Sequence, residues 1–203
     1  WETPKGSSLA LSLLLRPDFE AEHAPMLTLV MGMAACMAIE KITGLTAEIK
    51  WPNDVVINKK KTTGILTEMG MSEGKISYVV VGIGINLNME SFPEELAYKA
   101  TSLKIECGHE INRDEIAAAL LFYFEQYYEK FEQTHNLGFL IEEYNNHLVN
   151  RGKEVLIKEK DGEYTGISRG INDKGELLVE KKDGNCVEIF SGEVSVRGLY
   201  GYV

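Results

Sequence analysis

The chain has 203 residues, 44% of them hydrophobic, which is room for one substantial domain and a small second one around a sizeable core. A formal net charge of −10 argues against nonspecific nucleic-acid binding, which needs basic patches laid on phosphate, while leaving space for a local basic pocket. Cys36, Cys107 and Cys186 are odd in number, far apart and without metal-ligand spacing, so the expectation is buried or idle thiols in a reducing cytosol.

The chain opens Trp-Glu-Thr-Pro, with no initiator Met and no basic segment ahead of an apolar run, and so reads as a fragment without a signal peptide. No apolar run reaches the ~20 residues of a spanning helix, and residues 24–39 suit a buried core helix instead. Residues 9–15 read as a strand in which Ser8 and Ser12 interrupt an apolar run. Pro25 suits the first turn of a helix that ends near Thr43, with Gly44 in the left-handed cap position. Its stripe of Met26, Met31, Met33 and Met37 is core filler.

Residues 47–51 form a strand that leads into the stretch around which the chain is organised, Lys-Trp-Pro-Asn-Asp at 50–54. Pro52 has no backbone donor, so an ordinary central strand cannot run through it, and Asn53 and Asp54 follow where side chains can turn toward a ligand. A hairpin comes next: β-rich Val55-Val56-Ile57, a turn at Asn58-Lys59-Lys60, then a β-rich segment over 62–69. By itself this is a surface hairpin with a basic, solvated tip.

Residues 78–88, Tyr-Val-Val-Val-Gly-Ile-Gly-Ile-Asn-Leu-Asn, add a second signal. Alternate side chains of a strand share a face, so Gly82, Gly84, Asn86 and Asn88 fall on one side and Ile83, Ile85 and Leu87 on the other. One face is packed and the other stripped to backbone, as glycines in a strand do where a ligand or another backbone approaches. A bulge or tight helix packing is the alternative.

Residues 91–107 read as irregular. Asn112 caps a strong helix with Asp114 and Glu115 in its first turn, and Ile116, Leu120, Tyr123, Phe124, Tyr127 and Phe131 recur at helical spacing. A second helix is expected over 137–149, closed by Asn150-Arg151-Gly152. From Lys153 onward short strands alternate with turns at Asp161-Gly162, at 172–175 and at 183–185, the pattern of a small antiparallel barrel. The expected division is residues 1–151 and residues 152–203.

The ordered set Lys50-Trp51-Pro52-Asn53-Asp54, Lys61-x-x-Gly64-Ile65-Leu66-x-Glu68 and Gly82-Ile83-Gly84-Ile85-Asn86 resembles the central motifs of biotin–protein ligases. Residues 166–171 and 192–197 resemble that family's C-terminal domain. The resemblance implies an α+β fold: a mixed β-sheet flanked by helices, related to class II aminoacyl-tRNA synthetases, carrying the catalytic biotin and ATP sites, followed by an SH3-like barrel.

It also implies a reaction in two steps. Biotin's carboxylate attacks the α-phosphate of ATP, and a lysine of a biotin carboxyl carrier protein then attacks the resulting biotinyl-5′-adenylate. Two anions meet in the first step, so the site must supply fixed positive charge. Lys61 matches the family's lysine and would hold carboxylate and α-phosphate together; Lys59 and Lys60 read as ordinary turn residues. Strand parity puts Lys61 and Gly64 on opposite faces, so either Lys61 lies in the turn or a bulge precedes Gly64.

Gly64, Gly82 and Gly84 would let biotin's rings lie on bare sheet, with Leu66 walling the pocket or packing as core. Asn53 and Asn86 would bind the adenylate, and Trp1 matches a tryptophan that stacks on adenine. Asp54 would position Asn53, lie near magnesium or cap its own turn. Glu193 and Arg197 match a pair linked to nucleotide and carrier binding, or form a surface ion pair. ATP with Mg2+ is the implied nucleotide, no protein metal site is expected, and a homodimer is a possible assembly.

The family's Gly/Arg-rich loop and its biotin-gripping Ser/Thr and Gln would lie upstream of Trp1, as would a DNA-binding helix-turn-helix where a member has one. A lipoate or other acyl-acid ligase, and a noncatalytic module that holds an adenylate as a signal, are the alternatives. The last of these would not need Lys61.

Overall fold

The computed structural model describes residues 4–159, 162–190, 195–198 as backbone, and 203. Trp1, Asp161, Gly192 and Glu193 lie outside the described residues, as does the side chain of Arg197.

Five strands form the first sheet: β1 (Ser8–Leu15), β2 (Glu48–Lys50), β3 (Asp54–Ile57), β4 (Lys60–Ser72) and β5 (Lys75–Asn86), in the order β1-β5-β4-β3-β2. All four ladders are antiparallel, and the parallel pairing of this mixed sheet is confined to two single bridges, Ile49 with Leu148 and Lys61 with Ala100. Asn58 and Lys59 sit between β3 and β4 with φ of 49° and 65°, the left-handed pair that a two-residue hairpin needs to match strand twist. Lys60 is therefore a strand residue opposite Ile57, and the turn is one residue shorter than expected.

Helix α1 (Met26–Thr43) lies against one face of this sheet, preceded by a 3-10 turn at Ala21–His23. It ends as expected at Gly44, with φ 71° and its N–H on the Glu40 carbonyl. Residues 21–43 are long and apolar enough to cross a membrane by length and composition, contrary to the sequence expectation. Yet 67% of their most apolar 18-residue stretch is buried inside the fold, which is why α1 is apolar nearly all round. Leu9, Ile65, Val79, Val81, Ile83 and Ile85 supply the sheet side of the core.

Two short helices, α2 (Glu94–Ala97) and α3 (Leu103–Cys107), occupy the segment expected to be irregular. Ser102 caps α3 by accepting from the Ile105 N–H, a capping signal too short to carry periodicity. Asn112 caps α4 (Arg113–Thr134), which packs on α1, by accepting from the Asp114 N–H at 2.9 Å. The following helix, α5, spans only Ile141–His147. Its expected ends are claimed by other partners: Leu137 N–H donates to Asp173 O, and Leu148 turns extended to pair with Ile49.

The second sheet comprises β6 (Glu154–Glu159), β7 (Gly162–Ile171), β8 (Leu177–Glu180), β9 (Cys186–Ile189) and β10 (Ser195–Gly198). Its order β10-β6-β7-β8-β9 is an antiparallel meander whose last strand returns beside the first, as in a small SH3-like barrel. Asn145 on α5 accepts from Ile171 N–H at 2.8 Å, and its side chain occupies the space a Cβ would need at Gly170, whose φ is +121°.

Trp51 ties the first sheet's motif to the second sheet directly. It is 2% exposed, and its indole Nε1–H donates to Gly175 O at 3.0 Å. Trp51→Phe removes that donor and strands a buried carbonyl, at a cost on the order of 1–3 kcal/mol. The expected result is a lower urea midpoint; an unchanged midpoint would show that the two sheets do not depend on this bond.

Candidate active site

The face of the first sheet opposite α1 carries the organised stretch. Asp54 pairs with Gly64, Val55 with Thr63 and Val56 with Lys61, so Thr62 is an extra residue and the register shifts there. Cross-strand partners share a face, as do residues two apart in a strand. Asp54, Lys61 and Gly64 therefore lie on the same face, and the bulge is what resolves the parity conflict in the sequence.

Lys61 Nζ forms an ion pair with Asp54 Oδ1, with side-chain exposures of 31% and 9%. This ion pair is not among the roles expected of Asp54. The backbone of Lys61 is held as well: its N–H donates to Lys99 O at 2.8 Å and its carbonyl accepts from Thr101 N–H at 2.9 Å. A flexible lysine is thus anchored at both ends of its side chain.

Beside this pair the sheet is bare. Gly64 stands opposite Gly84, and Leu66 opposite Gly82. On the other side of β5, Ala10 faces Gly84 and Ser12 faces Gly82. A Cβ added at Gly82 would meet only Leu66 O at 3.5 Å and Ser12 Oγ at 3.7 Å, ordinary contact distances. Protein packing does not require glycine there. Leu66 is 63% exposed, so its core reading is excluded and it stands as a wall of this open patch.

Ser8, Ala10 and Ser12 complete the patch; the sequence reading has Ser8 and Ser12 only as interruptions of an apolar run and does not single out Ala10. The legible signal was small residues at alternate positions, matching the glycine spacing of β5. Ser8 Oγ is buried with no hydrogen-bond partner among the described residues, an acceptor and donor left for something else to satisfy.

The asparagines are more committed than their sequence reading suggests. Asn53 Nδ2 donates to Ile65 O at 3.1 Å, closing the start of the hairpin. Asn86 is 5% exposed and its Nδ2 donates to Thr101 O at 3.1 Å, tying β5 to the segment that holds Lys61. Asn88 does not share the glycine face: β5 ends at Asn86, and the Asn88 amide donates to Ile111 O and accepts from Ile111 N–H. Arg197 lies in β10 opposite Leu156. Among the described residues no cluster of three or more His, Cys, Asp or Glu is placed to hold a metal ion.

Residues 1–86 match the Biotin/lipoate A/B protein ligase family, and residues 152–197 match the biotin protein ligase C-terminal domain. The chain is 36% identical over 198 residues to the bifunctional ligase/repressor BirA of Bacillus subtilis, aligning 97% of its own length to 60% of that protein. It therefore spans about 60% of the length of the BirA relatives it matches. With the biotin--[acetyl-CoA-carboxylase] ligase of Paracoccus denitrificans it shares 30% identity, covering 95% of this chain and 83% of the relative. The solved biotin protein ligase of Aquifex aeolicus, in complex with biotin and ATP, superposes with a TM-score of 0.82 at 32% identity, over 95% of this chain and 79% of that one. An unbroken likeness through both sheets, to a relative not much longer than itself, means that this chain belongs to the biotin–protein ligase family.

Proposed function

We propose that the intact protein activates biotin with ATP to biotinyl-5′-adenylate and passes biotin to a lysine of a biotin carboxyl carrier protein. The observation that carries this reading is the bulge at Thr62, which turns the Lys61 ammonium, paired to Asp54, onto the same sheet face as Gly64 and Gly84. In the first step a carboxylate oxygen forms a bond to the α-phosphorus and pyrophosphate leaves. Lys61 lies between the two anions and offsets charge that grows in the transition state. Asp54 fixes the ammonium beforehand, so little reorganisation remains for the reaction itself. In the second step a carrier amine attacks the acyl carbon and AMP leaves. The retained Lys61–Asp54 pair favours this reading over a module that only holds an adenylate.

Within this proposal Lys61, Gly64, Leu66, Gly82 and Gly84 contact biotin, the glycines by giving its fused rings flat backbone to lie on. Asn53, Asn86, Trp1 and Arg197 serve the adenylate; the two carboxamides offer their carbonyl oxygens, which have no hydrogen-bond partner among the described residues, since their Nδ2 groups are engaged. Magnesium enters on the phosphates of ATP, as it commonly does, rather than in a protein cage. Residues 1–151 form the catalytic unit and 152–203 the C-terminal one. A cytoplasmic location and a homodimer belong to the same reading, as does nucleic-acid binding only through a separate upstream domain.

Lys61→Ala in the full-length protein is expected to abolish biotin-dependent pyrophosphate release, a loss on the order of 3 kcal/mol or more in transition-state stabilisation. Lys59→Ala, in the hairpin turn, should leave the rate nearly unchanged. Near wild-type release by the Lys61 variant would sink the assignment. Gly82→Val, where a Cβ meets only ordinary contacts, should fold with a thermal midpoint close to wild type yet lose biotin binding by calorimetry. Unchanged affinity would make the glycine face structural only.

A further inference from the structure

On the α1 side of the molecule, away from the glycine face, a cavity of about 360 Å³ opens between the start of α1, the end of α4 and the turn between β7 and β8. That volume lies within the usual range for a small-molecule site. The start of α1 contributes Met26 and Leu29 as an apolar floor, and the turn between β7 and β8 contributes Gly175 and Glu176. His23 and His135 form one wall, their ring centroids 5.6 Å apart, with the edge of Phe19 against both at 6.0 and 5.9 Å. Phe190 stands at the cavity and is 58% exposed, a large apolar ring with one side uncovered.

The charge inside is unbalanced. Glu176 is 3% exposed, and one oxygen accepts from Asn172 Nδ2 at 2.6 Å. Among the described residues no lysine, arginine or histidine forms an ion pair with it. Lys174 also lines the cavity but is exposed, and Glu22 and Asp173 add two more carboxylates near it. A buried carboxylate without a cation is costly, and a cation brought by a ligand removes that cost. His23 Nδ1 is also buried without a hydrogen-bond partner among the described residues. The donor set does not suit a metal ion, since no group of three or more His, Cys, Asp or Glu among the described residues converges on one point.

We propose that this cavity binds an organic ammonium with a small aromatic or apolar body. The ammonium pairs with Glu176, and the body lies on Met26 and Leu29 between the imidazoles and Phe190, where the aromatic faces also attract a cation. Such a ligand bridges the start of α1 and the turn between β7 and β8, and stabilises the fold by mass action.

Benzylammonium is the probe, and its uncharged counterpart benzyl alcohol the control. With the intact protein, carbon-labelled at histidine, benzylammonium is expected to shift the ring signals of His23 and His135 saturably while sparing His109 and His147. Benzyl alcohol should bind at least roughly tenfold more weakly, the loss expected when a charged hydrogen bond is removed. Glu176→Gln should erase that preference. Phe190→Ala, at an exposed position that leaves the fold intact, should weaken benzylammonium several-fold. Saturable binding with no preference for the charged probe overturns the ligand class. Absence of saturable shifts, or shifts unaffected by Phe190→Ala in a folded variant, overturns the site.

Discussion

A strand alternates its side chains without exception unless a residue is inserted, and Thr62 is that insertion. Without it, Lys61 would point toward the face where α1 packs, into surroundings formed by Ile65, Val81 and Ile83. An ammonium there would be desolvated and unpaired, which is among the least favourable placements a side chain can have. With the bulge, the same lysine meets Asp54 on the open face. The carboxylate is almost wholly buried, so its position is set by the fold and the ammonium inherits that position. Everything proposed for the site depends on this one shift of register.

The segment 99–101 makes the arrangement rigid from the outside. It takes both backbone groups of Lys61, and its Thr101 carbonyl takes the Asn86 amide. One short stretch therefore fixes the charged end of the patch and the end of the glycine strand together. A loop that contributes no side chain to the patch still decides its geometry.

Trp51 extends that connectivity to the second sheet. It belongs to the same five-residue motif as Asn53 and Asp54, yet it faces away from the patch and bonds to the Gly175 carbonyl. The motif thus has two outputs: polar side chains toward the open face, and an indole toward the C-terminal sheet. The same β7–β8 turn, through Gly175 and Glu176, also lines the cavity at the start of α1.

Local patterns in the sequence determined a great deal by themselves. The strand at 9–15, the left-handed cap at Gly44, the cap at Asn112 and the alternating face of Gly82 and Gly84 are each legible in a pattern of a few neighbouring residues. The resemblance to biotin–protein ligases likewise stood on ordered motifs. Tertiary structure decided what those rules do not reach. It shortened α5, because Leu137 and Leu148 found backbone partners on Asp173 and Ile49. It withdrew Asn88 from the glycine face by pairing it with Ile111, and it recruited Ser8, Ala10 and Ser12 to that face across the β1–β5 ladder. Between a turn and a bulge as the way to reconcile Lys61 with Gly64, only the pairing of β3 with β4 chose. The physical reason is common to all of these: a hydrogen bond or a register joins residues distant in the chain, and periodicity carries no information about partners that far away.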